Sequence, residues 1–437
     1  MRNETNVANR FVGVLAAFFL LGSSAARAQD YEVWLVDQSN SSGKTYGGKI
    51  YVYDGSSLEG EAAASSTPTA TIDLGGDTAA LCMASTGANP VRPHMVLFNS
   101  AHTHAVLAFV ASGHVVVFDG ATRTPVACLR TSVGAGGARQ AHAAFPSPDD
   151  TYILVANQNG KLLERIDADY ATNTFALNAA ATINLATCTT PNGVACQGPG
   201  IRPDNAPICP IIDRSSRHGF ITLRGGGMFV VDAKATPMQI VGEYDMGTVF
   251  GNGCGGVDSG AAMFINSGGG TGANLEQFDL YRFPLDGYSA TNAANTPAPK
   301  VVFRDNAKDR DAHGMVLTKH ARHLWVLDRH DNVAEIFDAD SDAHLGTLDL
   351  RSPESADPSP DLIDISPSGN RLFVSMRGPA PLSGDPHSST GSTPGLMVIQ
   401  VNQGGAGGQV TSLVRIHNVD AGGVERADAH GIRVRRK

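Results

Sequence analysis

Charge is scarce in this chain, and so are aromatic rings. Asp, Glu, Lys and Arg make up 17% of the residues and Phe, Trp and Tyr 6%, against about 25% charged in an average domain. The first deficit argues against long salt-bridged helices. Basic residues are outnumbered: 33 Lys and Arg face 42 Asp and Glu, for a net charge of −9. A surface of that sign repels phosphate backbones, so no nucleic-acid partner is expected. C-x-x-C is absent, which argues against a thioredoxin-type site or a zinc ribbon. G-x-S-x-G between a strand and a helix is absent too, and the GGG runs at 225–227 and 268–270 read as turns between strands rather than phosphate-cradling loops. No apolar run approaches the roughly 20 residues that cross a bilayer.

Small and β-forming residues are plentiful instead. Hydrophobic residues reach 42%, enough for a sizeable core, and 49 of 437 residues are Gly, which signals many turns. Residues 1–28 have a weakly basic start, a short apolar run from Phe11 to Leu21, and an A-x-A ending at Ala26 to Ala28. This reads as a secretory signal, leaving 29–437 as the mature chain in the periplasm or outside the cell, with no membrane attachment after cleavage. Six cysteines in an exported chain permit three disulfides. Cys188 and Cys196 bracket a turn and are the easiest pair to close.

Short β-rich runs ending in an acidic turn recur seven times: Lys49 to Asp54, Val115 to Asp119, Leu162 to Asp167, Met228 to Asp232, Leu280 to Asp286, Val333 to Asp338 and Leu396 to Val401. Each is followed by a turn and another β-branched strand, as in TIDL at 71–74 and TLDL at 347–350. A second pattern, strand, polar turn and strand, recurs at 143–156, 314–327 and 362–375. Seven units of four strands predict an all-β, seven-bladed β-propeller. Its opening strands (Tyr31 to Val36, Lys49 to Tyr53) match the second and third of a blade, and Gly431 to Val434 matches a lone first strand. The two termini therefore share one blade and close the ring, which removes the sheet edges.

The segment SPSGNRLFV at 366–374, and more loosely SPDD at 147–150, resembles the repeat core of YVTN-type seven-bladed propellers. That resemblance implies fold and leaves chemistry open.

Aligning the turns after each first strand (Asn99, Ser147, Asp213, Ser259, Thr318, Ser366, Arg435) and counting back five residues selects one position per blade. These are His94, His142, Ile208, Cys254, His313, Asp361 and His430. Innermost strands begin at the mouth of the central channel, so these positions converge on the axis. His94, His142, His313 and His430 are candidate ligands for one transition-metal ion, with copper favoured by the affinity order and iron or zinc as alternatives. Asp361 is a further ligand or a carboxylate that orients a histidine, and Asp311 and Asp428, two residues before His313 and His430, are candidates for the same orienting task. The competing explanation is structural: a histidine before the first strand is also the hydrogen-bonding His of WD-type repeats. Cys254 has two readings, a thiolate ligand or a disulfide partner of Cys209.

Among the other histidines, His102, His104, His218, His320 and His323 are expected on the surface of the far face. His114, His330 and His387 fall on the mouth face, His387 within the Gly/Ser/Pro-rich insertion from Arg377 to Pro394, a candidate lid. Four axial histidines on a seven-bladed propeller are similar in architecture to carotenoid-cleaving dioxygenases and to the copper propellers of methanethiol oxidase and nitrous oxide reductase. The expectation is an exported metal-dependent oxidoreductase acting on a small molecule. Two alternatives stand beside it: a non-catalytic YVTN-like binding scaffold, and a lactonase- or lyase-like propeller using the ion as a Lewis acid.

Overall fold

The computed structural model describes Met1 and residues 30–60, 62–250, 253–269, 277–291, 296–307, 309–382 and 390–437. Residues 2–28 of the expected signal segment, and His387, lie outside them. Seven antiparallel sheets follow one another around an axis, making a seven-bladed β-propeller. Blade 1 has the order Ala429–Arg436, Tyr31–Asp37, Lys49–Asp54, Ala70–Asp73, so the last strand of the chain is the innermost strand of the first blade. It pairs with Tyr31–Asp37 from Tyr31↔Arg436 to Asp37↔Ala429. Blades 2 to 7 start with the innermost strands Pro93–Phe98, Ala141–Pro146, Ala206–Ile212, Gly256–Asp258, Ala312–Leu317 and Pro360–Ile365. Blade 3 adds a short fifth strand, Ile183–Asn184, beside Leu162–Asp169.

Burial follows position in the blade. Second strands such as His104–Phe109 (HAVLAF) and Tyr152–Asn157 (YILVAN) are buried at every residue, because a neighbouring blade covers each face. Outermost strands such as Ala70–Asp73 and His344–Asp349 alternate between exposed and half-buried, with one face in water. The single α-helix among the described residues, α1 (Asp77–Thr86), lies between blades 1 and 2 and is tied to the outer strand of blade 2 by Cys82–Cys128. Cys188 pairs with Cys196, and Cys209 pairs with Cys254, so the bridge between blades 4 and 5 is realised and Cys254 is not a free thiol. The GGG run at 225–227 joins two strands with φ of 86°, 95° and 84°, a left-handed path that glycine adopts without strain. None of the described helices is long and apolar enough to cross a membrane.

One irregularity repeats and builds the centre. The pairing of the first strand with the second slips between Pro93 and Val96, Ala141 and Ala143, Pro207 and Pro210, Ala312 and Met315, and Pro360 and Ile363, and opposite Leu35 to Asp37 in blade 1. Each slip is a β-bulge containing the ring position of that blade. A bulge leaves a residue out of the ladder and re-aims its side chain. The freed backbone groups find partners on the second strands: Ser375 Oγ accepts from the Leu362 amide at 2.9 Å and Thr222 Oγ1 from the Cys209 amide at 3.1 Å. Second-strand polar side chains also reach the next blade, Asn266 Nδ2 donating to His313 O and Ser375 Oγ to His430 O, both at 2.6 Å.

Candidate metal centre

Glycine after histidine lets the ring close at the axis. In the two DAHG segments, a Cβ at Gly431 would lie 2.5 Å from His94 O, and one at Gly314 would lie 2.6 Å from Asp361 O. Any larger residue would push neighbouring ring positions apart.

Four of the aligned residues form one connected cluster. His430 Nδ1 is 2.7 Å from Asp361 Oδ2, and His430 Nε2 is 2.9 Å from His94 Nε2. His313 Nε2 lies 3.0 Å from the other oxygen, Asp361 Oδ1, in a geometry that makes no hydrogen bond. The ring centroids of His94 and His430 are 3.7 Å apart, and those of His313 and His430 are 5.6 Å apart. Donor atoms of His313, Asp361 and His430 all lie within 4.8 Å of one another. Asp361 and His430 are fully buried, while His94 and His313 are half-buried.

His142 faces elsewhere. Its Nδ1 is 3.0 Å from Ile208 O, and its ring stands edge-on to His94 with centroids 4.6 Å apart. It groups with Cys209 and Cys254, its ligand atom within 4.8 Å of both sulfurs.

Two arginines that the sequence did not single out complete the cluster. Arg377 Nε and Nη2 bind Asp428 at 2.7 and 2.8 Å, and Arg377 Nη1 donates to Asp361 Oδ2 at 2.8 Å. Arg329 Nε binds Asp311 at 2.7 Å, and its Nη1 reaches Asp361 Oδ1 at 3.5 Å. Asp311 and Asp428 thus hold arginines rather than the histidines two residues on. Both arginines immediately follow second strands, His323–Asp328 and Arg371–Met376. Aligning the ends of those strands, as was done for the first, would have found the pair.

Burial lowers the pKa of all four ring histidines, that of His142 to about 3, and the neighbouring guanidiniums and imidazoles add to it. Asp361 opposes burial. Desolvation would raise its pKa, but the charged groups around it, Arg377 and Arg329 among them, outweigh burial and hold it well below the usual carboxylate range. The cluster therefore contains neutral imidazoles, the form that ligates metals. Its three carboxylates, Asp311, Asp361 and Asp428, are paired with Arg329 and Arg377, and Arg92 also feels the charge of Asp428. His94 Nδ1 is buried without a hydrogen-bond partner.

The remaining histidines take other places. His114 is fully buried: its ring nitrogens contact Thr86 Oγ1 at 2.8 Å and Ser112 Oγ at 2.9 Å beneath α1, so it lines no entrance and has no ring nitrogen left for a metal beside Cys82 and Cys128. His330 lies half-exposed beside Asp331. His104, His218 and His323 are buried rather than on the surface, because loops of their own and neighbouring blades cover them. His104 Nε2, for example, meets Asn173 Oδ1 at 2.8 Å.

No protein-family profile matches the chain, and no curated protein matches it. Solved structures do. A periplasmic gluconolactonase from Pseudomonas aeruginosa superimposes with a TM-score of 0.54 at 15% identity, covering 92% of this chain and 99% of that one. A provisionally named 6-phosphogluconolactonase from Bacteroides fragilis gives 0.58 at 13% identity over 94% of this chain and 99% of that one. A Lactobacillus plantarum protein gives 0.59 at 13% identity over 93% and 99%. At this level of identity these likenesses define the fold alone, a seven-bladed propeller, and carry no chemistry.

Proposed function

We propose that this chain is an exported propeller hydrolase of the lactonase type, in which His94, His313 and His430 hold one transition-metal ion and Asp361 orients His430. The ion would act as a Lewis acid on the carbonyl of a small cyclic ester. The carrying observation is the pair of Nε2 atoms of His430 and His94 at 2.9 Å, with His430 Nδ1 on Asp361 and His94 Nδ1 unpartnered. If each Nδ1 carries its ring's proton, two lone pairs face each other and require a cation. In the alternative tautomer His94 donates its Nε2–H to His430 Nε2 and no ion is needed; Nδ1 of His94 lacks a partner in both, so metal content decides between them. A carboxylate on Nδ1 with Nε2 turned inward is the arrangement of metal-bound histidines.

The protein's own residues have defined tasks in this reading. Asp361 fixes the tautomer of His430. Arg329 and Arg377, anchored by Asp311 and Asp428, keep positive potential beside the cluster, which favours the negative charge that develops on a carbonyl oxygen under attack. The propellers named as lactonases support hydrolysis over the oxidoreductase expected from the axial histidines. Copper leads the affinity order, followed by zinc and iron.

The test is a pH-stat assay of the purified mature protein against a panel of lactones that includes gluconolactone and its 6-phosphate. Ring opening that stops on chelation and returns with a transition metal supports the reading. A metal-loaded protein that opens none of the panel contradicts the hydrolase. Hydrolysis that survives complete metal removal contradicts the role of the ion.

A further inference from the structure

Met95 crosses from blade 2 to the Cys209–Cys254 pair joining blades 4 and 5. Its Sδ lies 3.6 Å from Cys254 Sγ and 4.0 Å from Cys209 Sγ, and Met95, Cys209 and Cys254 are 3%, 0% and 5% exposed. On the same side stands His142, a ring nitrogen within 4.8 Å of both cysteine sulfurs. Its Nδ1 is engaged by Ile208 O, which leaves Nε2 with the lone pair. Three sulfurs and one imidazole therefore converge from four blades on one point of the channel wall. Of the four residues His142 is the most exposed, half-buried where the three sulfur residues are buried.

We propose that Cys209, Cys254, Met95 and His142 form a second metal site, specific for monovalent copper, that opens when the Cys209–Cys254 bridge is reduced. Thiolate and thioether donors are soft and select Cu(I) over the harder divalent ions. The oxidised pair offers no thiolate. A dithiol reductant gives up two electrons and two protons to the bridge, yielding two cysteine thiols and the cyclic disulfide of the reductant. Binding of Cu(I) then displaces both thiol protons, and Met95 and His142 complete the coordination. This site shares no donor with the His94, His313 and His430 cluster and stands whether or not that cluster holds an ion.

The test is an anaerobic Cu(I) titration of the mature protein against bicinchoninate, before and after reduction. Wild type is compared with Cys209→Ser/Cys254→Ser, Met95→Leu and His430→Ala. The other four cysteines are common to all forms, so their contribution cancels in the comparison. Reduced wild type should bind one more Cu(I) than the reduced double variant, with sulfur-dominated X-ray absorption. Met95→Leu should weaken that ion at least about tenfold, and His430→Ala should leave it in place. Equal stoichiometry in reduced wild type and the double variant overturns the proposal. Should circular dichroism show the double variant unfolded, Met95→Leu decides alone: unchanged Cu(I) affinity overturns it.

Discussion

His430 and His94, separated by 336 positions in the chain, point their Nε2 atoms at each other across 2.9 Å. Chain closure produces this contact. His430 belongs to the terminal strand that completes blade 1, and His94 opens blade 2, so the cluster exists only when the ring is sealed.

Removing the terminal strand therefore removes both fold and site. A chain ending at Glu425 exposes the edge of Tyr31–Asp37 and lacks His430. It should lose its cooperative thermal transition by circular dichroism and aggregate, whereas deletion of Lys437 alone should leave the transition in place.

Arg377 is the electrostatic keystone of the cluster. Its side chain is 2% exposed and binds both Asp361 and Asp428. Arg377→Gln strands two buried carboxylates, at a cost of about 3–5 kcal/mol. Denaturant unfolding should show a loss of this size, and Arg351→Gln, on an exposed ion pair, should cost no more than about 0.5 kcal/mol.

Asp37 gives a pH signature. Burial raises its pKa to about 6, against the lowering effect of hydrogen bonds from Ser39 and Asp428, and its Oδ2 has no partner. A carboxyl raised in the folded state contributes stability below its unfolded value near 4, and that contribution is lost as pH rises through about 6. Asp37→Asn, which keeps the accepting Oδ1, should stabilise the protein by about 1–3 kcal/mol above pH 7 and by nothing below pH 4. Melting curves across that range check the slope.

The ring histidines act in the opposite direction. Their folded pKa values are lowered, so their contribution is complete above the unfolded value near 6.5 and is lost as pH falls toward the folded values. Wild type should lose melting temperature steadily below about pH 6.5. The loss should be smaller in His142→Gln, which removes one of these titrations.

The fold and the ring were legible because the propeller repeats one geometry: in six of the seven blades a bulge lies at the same distance before the first-strand turn, which lets counting replace coordinates. Neither arginine was found, because the alignment followed first strands and both lie after second strands. Met95 passed unnoticed as an ordinary apolar neighbour of His94. His104, His218 and His323 were assigned to the surface because strand patterns say nothing of loops from neighbouring blades. The burial of His114 follows from α1, a helix the strand-only reading did not anticipate.

The most direct test of the central claim is the metal content of the mature protein purified from its native compartment, measured by elemental analysis beside His313→Ala, His430→Ala and the exposed control His417→Ala. The account predicts about one transition-metal ion per chain in wild type and His417→Ala, and none in His313→Ala or His430→Ala, with all four proteins folded. Wild-type protein that holds no metal above a buffer control, even after reconstitution, would contradict it, as would metal that persists when His313 and His430 are gone.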